Sequence, residues 1–380
     1  MQERSKWLAV TAALAVGALV VAPLSIPKNR TVASATVAAC SNSTVLATWS
    51  LSQLANETIA VPADATNLSS VAPAAKEGFG GILLFGNVAP SNFRAQIAAM
   101  RANTPHHGGL LVMTDDEGGA VWRLANLIAP LPWAKKLAHS SPAHITALVH
   151  AAALQMAQLG VTMDLAPVLD VDGSSAFPGN ANADGLRSFS GTTSVVTTDG
   201  VAYLKGFVGT NVVAVVKHFP GLGGVTPNTD YGAASTKQWS VVEASTLAPF
   251  RAAIKAGASA LMVANVLIPG LTNRPATLSP AVMKVLRTQL GFQGLIVTDS
   301  LSAGAIAQAH YGLVSASVAS LAAGADLVLF SVPAHGSAMI LARQISANVV
   351  KAVGLGTISR AQLVAAALQV VTAQHAHLCG

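Results

Sequence analysis

Eight short apolar segments, separated by stretches that favour helices, constrain the fold of this 380-residue chain more than any other feature. The segments are rich in β-branched residues, which is typical of strands that are buried on both faces. They comprise residues 58–62, 80–85, 109–114, 161–169, 212–216, 260–266, 294–298 and 326–330. Alanine-rich stretches at residues 144–159 and 360–374 predict helices outside the sheet. This alternation predicts an α/β fold, a single-domain (β/α)8 TIM barrel.

The composition fits a folded protein with a large core. Hydrophobic residues make up 52% of the chain and charged residues 10%, which argues against disorder. The formal net charge is +6, and about half of it lies within the first 40 residues. The remaining charge is weak and scattered, so we expect no nucleic-acid partner.

The N-terminal residues resemble a targeting segment rather than part of a folded domain. A short basic stretch precedes an apolar run at residues 7–22, which Pro23 and Pro27 follow. This pattern predicts that residues 1–39 are a signal peptide or an N-terminal membrane anchor, and that residues 40–380 form the barrel domain. We therefore expect an exported protein, secreted or associated with the cell surface. Any membrane attachment would run through the N-terminal segment only.

The chain has two cysteines, Cys40 and Cys379, which bracket the expected domain. Domain termini often lie close together, so a disulfide between them is the favoured prediction for an oxidising compartment. The alternative is that residues 37–40 resemble a lipobox, in which Cys40 would be acylated. The two fates exclude each other.

Residues 212–232 combine a predicted buried strand with a glycine-containing loop. Lys217 and His218 follow the apolar residues 212–216, and the next few glycines permit backbone angles closed to other residues. Loops after barrel strands carry active sites. We therefore expect Lys217 and His218 in an active site, with Asp230 of the same loop within reach.

Several motifs resemble those of family 3 glycoside hydrolases, in particular the single-domain bacterial β-N-acetylglucosaminidase branch. Lys-His-Phe-Pro-Gly at residues 217–221 resembles the signature of that family. Residues 115–123 resemble its Asp-Gln-Glu-Gly-Gly element with the arginine that follows, and residues 186–190 resemble its Arg-x-Phe-Gly loop. The similarity extends from about residue 49 to residue 373.

The resemblance implies a set of sugar-binding residues. Carboxylates accept hydrogen bonds from sugar hydroxyls, and guanidinium groups donate them through a planar fork. The implied substrate-binding residues are Asp115, Arg123, Arg187, Lys217 and His218. Residues 164–170 also resemble the family, and we interpret them, including Asp170, as mainly structural.

Residues 294–301 supply the implied nucleophile. Asp299 follows an apolar segment and occupies the position of the family's nucleophilic aspartate, while Ser300 replaces an aspartate that is common there. Asp326 is expected to hold a loop. We predict no cofactor and no metal, since His375 and His377 on the terminal tail are too few to form a metal site.

One loop departs from the family. Where the branch has Asp-Ser-His, with histidine as general acid/base, this chain has Asn228-Thr229-Asp230. Asp230 therefore takes the catalytic position and Asn228 the orienting position. Asp230 acts directly as acid/base, or another group supplies the proton, or the chain binds sugars without cleaving them.

The leading hypothesis is a retaining glycoside hydrolase with a carbohydrate substrate, terminal β-N-acetylglucosamine from cell-wall-derived glycans. The alternative is a non-catalytic glycan-binding protein with a decayed family 3 active site.

Overall fold

Seven parallel strands form one sheet in which neighbours along the chain are also neighbours in space. The computed structural model describes residues 40–105, 109–332 and 338–379. Pairing follows the chain from one edge to the other, with Ala60 opposite Gly81 and Ala260 opposite Leu295. The strands are β1 (Ala60–Asp64), β2 (Gly81–Phe85), β3 (Leu111–Thr114), β4 (Met163–Asp164), β5 (Val213–Phe219), β6 (Ala260–Val263) and β7 (Leu295–Thr298).

The prediction of a closed eight-stranded barrel is wrong. Residues 326–330, which we expected to form the eighth strand, make isolated bridges instead, with Leu327 opposite Val297 and Val328 opposite Ile59. The backbone N–H of Leu329 donates to the hydroxyl of Thr298 at 2.9 Å, and not to a carbonyl. Because the side chain of Thr298 replaces a backbone carbonyl as the acceptor, regular pairing with β7 is interrupted there. The sheet is therefore a curled seven-stranded sheet.

Helices cover the outer face of the sheet, as the sequence predicted for residues 144–159, and a helix also forms where one was predicted at residues 360–374. The α-helices of the described ranges are α1 (Asn42–Leu46), α2 (Leu51–Glu57), α3 (Ala72–Lys76), α4 (Phe93–Arg101), α5 (Ala134–Leu137), α6 (Pro142–Leu159), α7 (Thr193–Lys205), α8 (Trp239–Ala244), α9 (Ala248–Lys255), α10 (Pro280–Lys284), α11 (Gly304–Gln308), α12 (Leu313–Ala323), α13 (Ala338–Gly354) and α14 (Arg360–Ala373). Short 3-10 helices span Leu68–Val71, Gly185–Arg187 and Ala276–Leu278, and a π-helix spans Val285–Gln289. Among these ranges, no helix combines the length and the apolar character needed to cross a bilayer.

Two apolar clusters lie on the two faces of the sheet. The larger cluster packs between strands and helices, and the smaller one fills the concave face with alternate strand residues such as Met113, Val215 and Val297. Val370 of α14 belongs to the smaller cluster, and its side chain lies beside Gly80, just before β2. Helix α14 therefore closes the end of the sheet where the strands begin.

The two ends of the described chain are joined covalently. Cys40 and Cys379 form a disulfide across 339 residues, which confirms the predicted pairing. Asn42 reinforces it, because its amide donates to the carbonyl of Ala376 at 2.8 Å and its side-chain oxygen accepts from the N–H of Leu378 at 2.9 Å. The sulfur of Cys40 is thus unavailable for acylation. The predicted signal peptide or anchor lies outside the described residues.

Candidate active site

A cavity of about 450 Å³ opens where the strands end. Parallel strands bring the residues that follow them to one edge of a sheet, which is where barrel-like enzymes build their sites. Every sugar-binding or catalytic residue predicted from the sequence lines this cavity, namely Asp115, Arg123, Arg187, Lys217, His218, Asn228, Asp230 and Asp299.

Three strands deliver the central side chains. Asp115 follows β3 and Asp299 follows β7 directly, whereas Lys217 and His218 lie within β5. The sequence placed the end of this strand at residue 216, but pairing resumes at Phe219 after an irregularity. Lys217 and His218 are consequently held by the sheet itself, and both are buried.

Lys217 and Arg187 are fixed by two carboxylates. The Nζ of Lys217 lies 2.6 Å from Asp115 Oδ1 and 2.6 Å from Glu117 Oε1. The guanidinium of Arg187 holds Glu117 with two bonds, from Nε to Oε2 at 2.8 Å and from Nη2 to Oε1 at 2.7 Å. Such bidentate pairing fixes both side chains, so this part of the wall is preorganised.

The charges in this group stabilise one another. Burial opposes the ionisation of Glu117, but Arg187 and Lys217 outweigh it and hold the pKa of this carboxyl below its ordinary value. Burial alone would lower the pKa of Lys217 and of Arg187, yet their carboxylate partners raise both. All three groups are therefore ionised at neutral pH.

The loop that carries Asp115 and Glu117 makes a close turn at two glycines. Gly118 and Gly119 both have positive φ, 108° and 62°, which favours glycine. A Cβ on Gly119 would lie 2.0 Å from the ring of Trp133, so only glycine allows that ring to pack there. Arg123 closes the loop, with its Nη2 3.9 Å from Asp115 Oδ2 and its guanidinium 5.9 Å from the Phe85 ring centre.

His218 is oriented by a buried acid that the sequence did not single out as functional. Its Nδ1 lies 2.6 Å from Oδ2 of Asp170, whose Oδ1 accepts from the N–H of Leu222 at 2.8 Å. Burial lowers the pKa of His218 to about 4, and the charges of Arg187 and Lys217 act in the same direction. A neutral imidazole that donates from Nδ1 leaves Nε2 as an acceptor. The Nη2 of Arg187 lies 3.4 Å from that nitrogen.

A second buried acid completes this cluster. Burial raises the pKa of Asp170 to about 6, and it raises the pKa of Asp184 well above the ordinary value, with the charge of Asp170 adding to the effect. Asp184 hydrogen-bonds to Asp170, and a bond between two carboxyl groups requires one shared proton. Of the described residues, Asp170, Asp184 and His218 form the group whose ligand atoms lie within 4.8 Å of one another. A cation would have to displace the shared proton and break the contact of His218, so this donor set fits a hydrogen-bonded cluster better than a metal centre.

Asp299 presents a carboxylate to the cavity. Its Oδ1 accepts from the N–H of Ser300 at 2.7 Å, and Asn265 fixes the same turn by donating to the carbonyl of Ser300 at 2.7 Å. Desolvation in the cavity raises the pKa of Asp299, and the charge of Asp230 adds to this, while His218 opposes it. Asp299 and Asp230 line the same cavity.

Hydrogen bonds to the backbone of Asp230 hold the loop at residues 228–230, which departs from the family. The N–H of Asp230 donates to Oδ1 of Asn228 at 3.0 Å, and the carbonyl of Asp230 accepts from the N–H of Gly304 at 2.8 Å. Asn228 thus contacts the main chain of Asp230 rather than its carboxylate. Asp230 itself is exposed to solvent.

Sequence reasoning missed three residues that contact predicted site residues or one another, namely Glu117, Asp170 and Asp184. Glu117 could have been found, since it lies two positions after Asp115 on the same loop. Asp170 was interpreted as structural, and nothing local signals Asp184, because their partners come from other segments of the chain.

Carboxylates and side chains that can donate to sugar hydroxyls meet at the edge of the curled sheet where the parallel strands end. Such a site is typical of a glycoside hydrolase. The model of the glycosyl hydrolase family 3 N-terminal domain matches residues 51–373, and the chain belongs to this family.

Named relatives agree with this assignment. Beta-hexosaminidase LpqI of Mycobacterium tuberculosis is 33% identical over 262 residues, which cover 66% of this chain and 66% of the relative, just under two thirds of it. A beta-hexosaminidase of Xanthomonas euvesicatoria is 35% identical over 265 residues, covering 67% of this chain and 76% of the relative. The crystal structure of a beta-N-acetylhexosaminidase from Beutenbergia cavernae superposes with a TM-score of 0.78 at 28% identity, covering 86% of this chain and 99% of that chain.

Proposed function

We propose that this protein hydrolyses terminal β-N-acetylglucosaminides with retention of configuration, through a covalent intermediate on Asp299. The observation that carries the proposal is that Asp299 shares one cavity with the ion-paired group of Asp115, Glu117, Arg187 and Lys217. The names of the relatives, beta-hexosaminidase and beta-N-acetylhexosaminidase, support the choice of sugar. They also favour an enzyme over a non-catalytic glycan-binding protein.

The inner wall of the cavity, which comprises Asp115, Glu117, Arg187, Lys217 and His218, is suited to hold the sugar that is released. Carboxylate oxygens of Asp115 accept from hydroxyls, Lys217 and Arg187 donate to hydroxyl or carbonyl oxygens, and Nε2 of His218 can accept. Because these groups are already fixed by one another, little conformational entropy is lost when a sugar binds. Arg123 and Phe85 also line this cavity.

The reaction requires two carboxyl groups in two roles. Asp299 attacks the anomeric carbon as the glycosidic bond breaks, and water later hydrolyses the glycosyl ester. Asp230 donates a proton to the departing oxygen in the first step and accepts a proton from water in the second.

The role of Asp299 is tested by covalent trapping. A 2-fluoro β-glycoside with a good leaving group should label Asp299 in the wild-type protein, and peptide mass spectrometry locates the label. Asp299→Asn should lose turnover by a factor of a thousand or more while its circular dichroism melting curve stays close to wild type. Ser300→Ala, one residue along the same turn, is the matched control and should retain labelling. A label on any other carboxylate overturns the assignment.

The role of Asp230 is tested by leaving-group dependence. Asp230→Ala should slow cleavage of a β-linked disaccharide about a hundredfold, the usual size of general acid catalysis. It should hardly slow formation of the glycosyl-enzyme from a dinitrophenyl glycoside, because that leaving group needs no proton. Azide should then restore release of the intermediate.

Equal slowing of both substrates by Asp230→Ala, with an unchanged pH–rate profile, would assign the proton to another group. Binding of the same sugars by the wild-type protein without turnover would instead support a glycan-binding role.

We also propose that the protein is exported and needs no cofactor. A disulfide across the whole domain is stable in an oxidising compartment, and the predicted targeting segment at residues 1–39 agrees with this. Fractionation of the native host should place the protein in the envelope or the medium. Dialysis against a chelator should leave turnover unchanged; lost activity that returns with added metal would refute the cofactor-free reaction.

A further inference from the structure

Two aromatic side chains of the described ranges stand exposed to solvent. Phe177 is 73% exposed and Tyr231 is 60% exposed, whereas the other aromatic residues of these ranges are buried or half-buried. Exposed aromatic groups leave apolar surface in water, and when they occur together they commonly mark a binding site.

Tyr231 lies at the mouth of the catalytic cavity, and Phe177 lies next to residues that line it. Tyr231 lines the cavity next to Asp230, and Phe177 directly precedes Pro178 and Gly179, which also line it. The two loops are hydrogen-bonded to each other, since Asn228 donates from its backbone N–H to the carbonyl of residue 180 at 2.9 Å and from its side chain to Gly179 at 3.3 Å.

Each of these two aromatic residues makes a supporting contact within the protein. The ring of Phe177 meets the ring of Trp133 edge-on at 6.1 Å, and Trp133 in turn packs on Gly119. The backbone N–H of Tyr231 donates to the carbonyl of Asn228 at 3.0 Å. These contacts support the ring of Phe177 and the backbone of Tyr231.

We propose that Phe177 and Tyr231 form the binding site for the leaving-group side of the substrate, a sugar ring offering its C–H face or an aryl group. This inference rests on the proposed function. The inner wall of the cavity is charged and fixed, and it suits the hydroxyl-rich sugar that is released. The mouth is aromatic and uncharged at these two positions, so it contacts the departing group through its apolar face without specifying its hydroxyls.

Calorimetry with hydrolysis-resistant ligands separates this site from the inner one. The probes are methyl and phenyl 1-thio-β-N-acetylglucosaminide, which share the sugar and differ in the ring beyond it. The wild-type protein should bind the phenyl compound about tenfold more tightly than the methyl compound. The double variant Phe177→Ala/Tyr231→Ala should lose this preference and keep the affinity for the methyl compound, while Tyr231→Phe should retain most of it.

Val208→Ala is the matched control, because Val208 is also 73% exposed but precedes β5, at the opposite edge of the sheet. It should leave both affinities unchanged. Absence of a phenyl preference in the wild type, or equal weakening of both compounds in the double variant, overturns the aromatic site. If neither compound binds, the proposed function fails as well; if the corresponding O-glycosides are hydrolysed without a phenyl preference, only the aromatic site fails.

Discussion

Substitution of Glu57 by glutamine should make the protein more stable at neutral and alkaline pH. Glu57 ends α2, is 3% exposed, and its Oε1 accepts from Nε2 of Gln374 at 2.6 Å. Burial raises the pKa of Glu57 from 4.5 to about 8, with the bond from Gln374 opposing this. The folded protein therefore retains a proton that the unfolded chain releases above about pH 4.5.

The sign and size of the effect follow from proton linkage. Between pH 4.5 and 8 the unfolded state binds fewer protons, so the free energy of unfolding falls as pH rises and the loss is complete above about pH 8. A shift from 4.5 to about 8 corresponds to about 5 kcal/mol. Glutamine at position 57 still accepts from Gln374 but never ionises, so the variant avoids this loss.

Denaturant unfolding of wild type and Glu57→Gln at several pH values between 5 and 9 tests the prediction. Other buried acids contribute to both proteins and cancel in the difference between them. The difference in the free energy of unfolding should be small at pH 5 and grow to several kcal/mol by pH 9. Glu243→Gln, on a half-exposed side chain, controls for the loss of one carboxylate. A difference that stays constant across this pH range would refute the reasoning.

Two further perturbations probe the disulfide and the His218 cluster. The double variant Cys40→Ser/Cys379→Ser should lose up to about 5 kcal/mol of unfolding free energy, as expected for a bridge across 339 residues, and reductant should then have no further effect. Asp170→Asn should lower kcat/KM tenfold or more and reduce the dependence of the rate on pH near 6, where Asp170 titrates. An unchanged pH–rate profile would show that packing alone orients His218.

Sequence reasoning located the strands well because buried parallel strands are apolar along their whole length. It failed where regular pairing stops for reasons outside the segment. Residues 161–169 looked like one strand, yet only Met163–Asp164 pairs regularly, and Pro167, which has no N–H to donate, lies beyond it. The expected eighth strand loses regular pairing with β7 where the hydroxyl of Thr298 accepts from Leu329, and apolar character does not reveal this.

The residues of the site that follow strands were also predictable. Asp115 and Asp299 stand immediately after apolar segments, so the position of each was fixed once its strand was identified. The contacts of Glu117 with Arg187 and of Asp170 with His218 join positions 70 and 48 residues apart. Side-chain pairing at such separations depends on how loops approach in three dimensions, which apolar periodicity does not encode.

The ion-paired group of Asp115, Glu117, Lys217 and Arg187 limits which amino-acid substitutions this site can tolerate. Lys217 pairs with both Asp115 and Glu117, and Glu117 pairs with both Lys217 and Arg187, so removal of Lys217 or Glu117 takes a counter-ion from two charged groups at once. The effects of substitutions here will therefore be epistatic, and double-mutant cycles will give large coupling energies. New sugar specificity in this protein would arise through compensating pairs of substitutions in the inner wall, or through single substitutions elsewhere in the cavity.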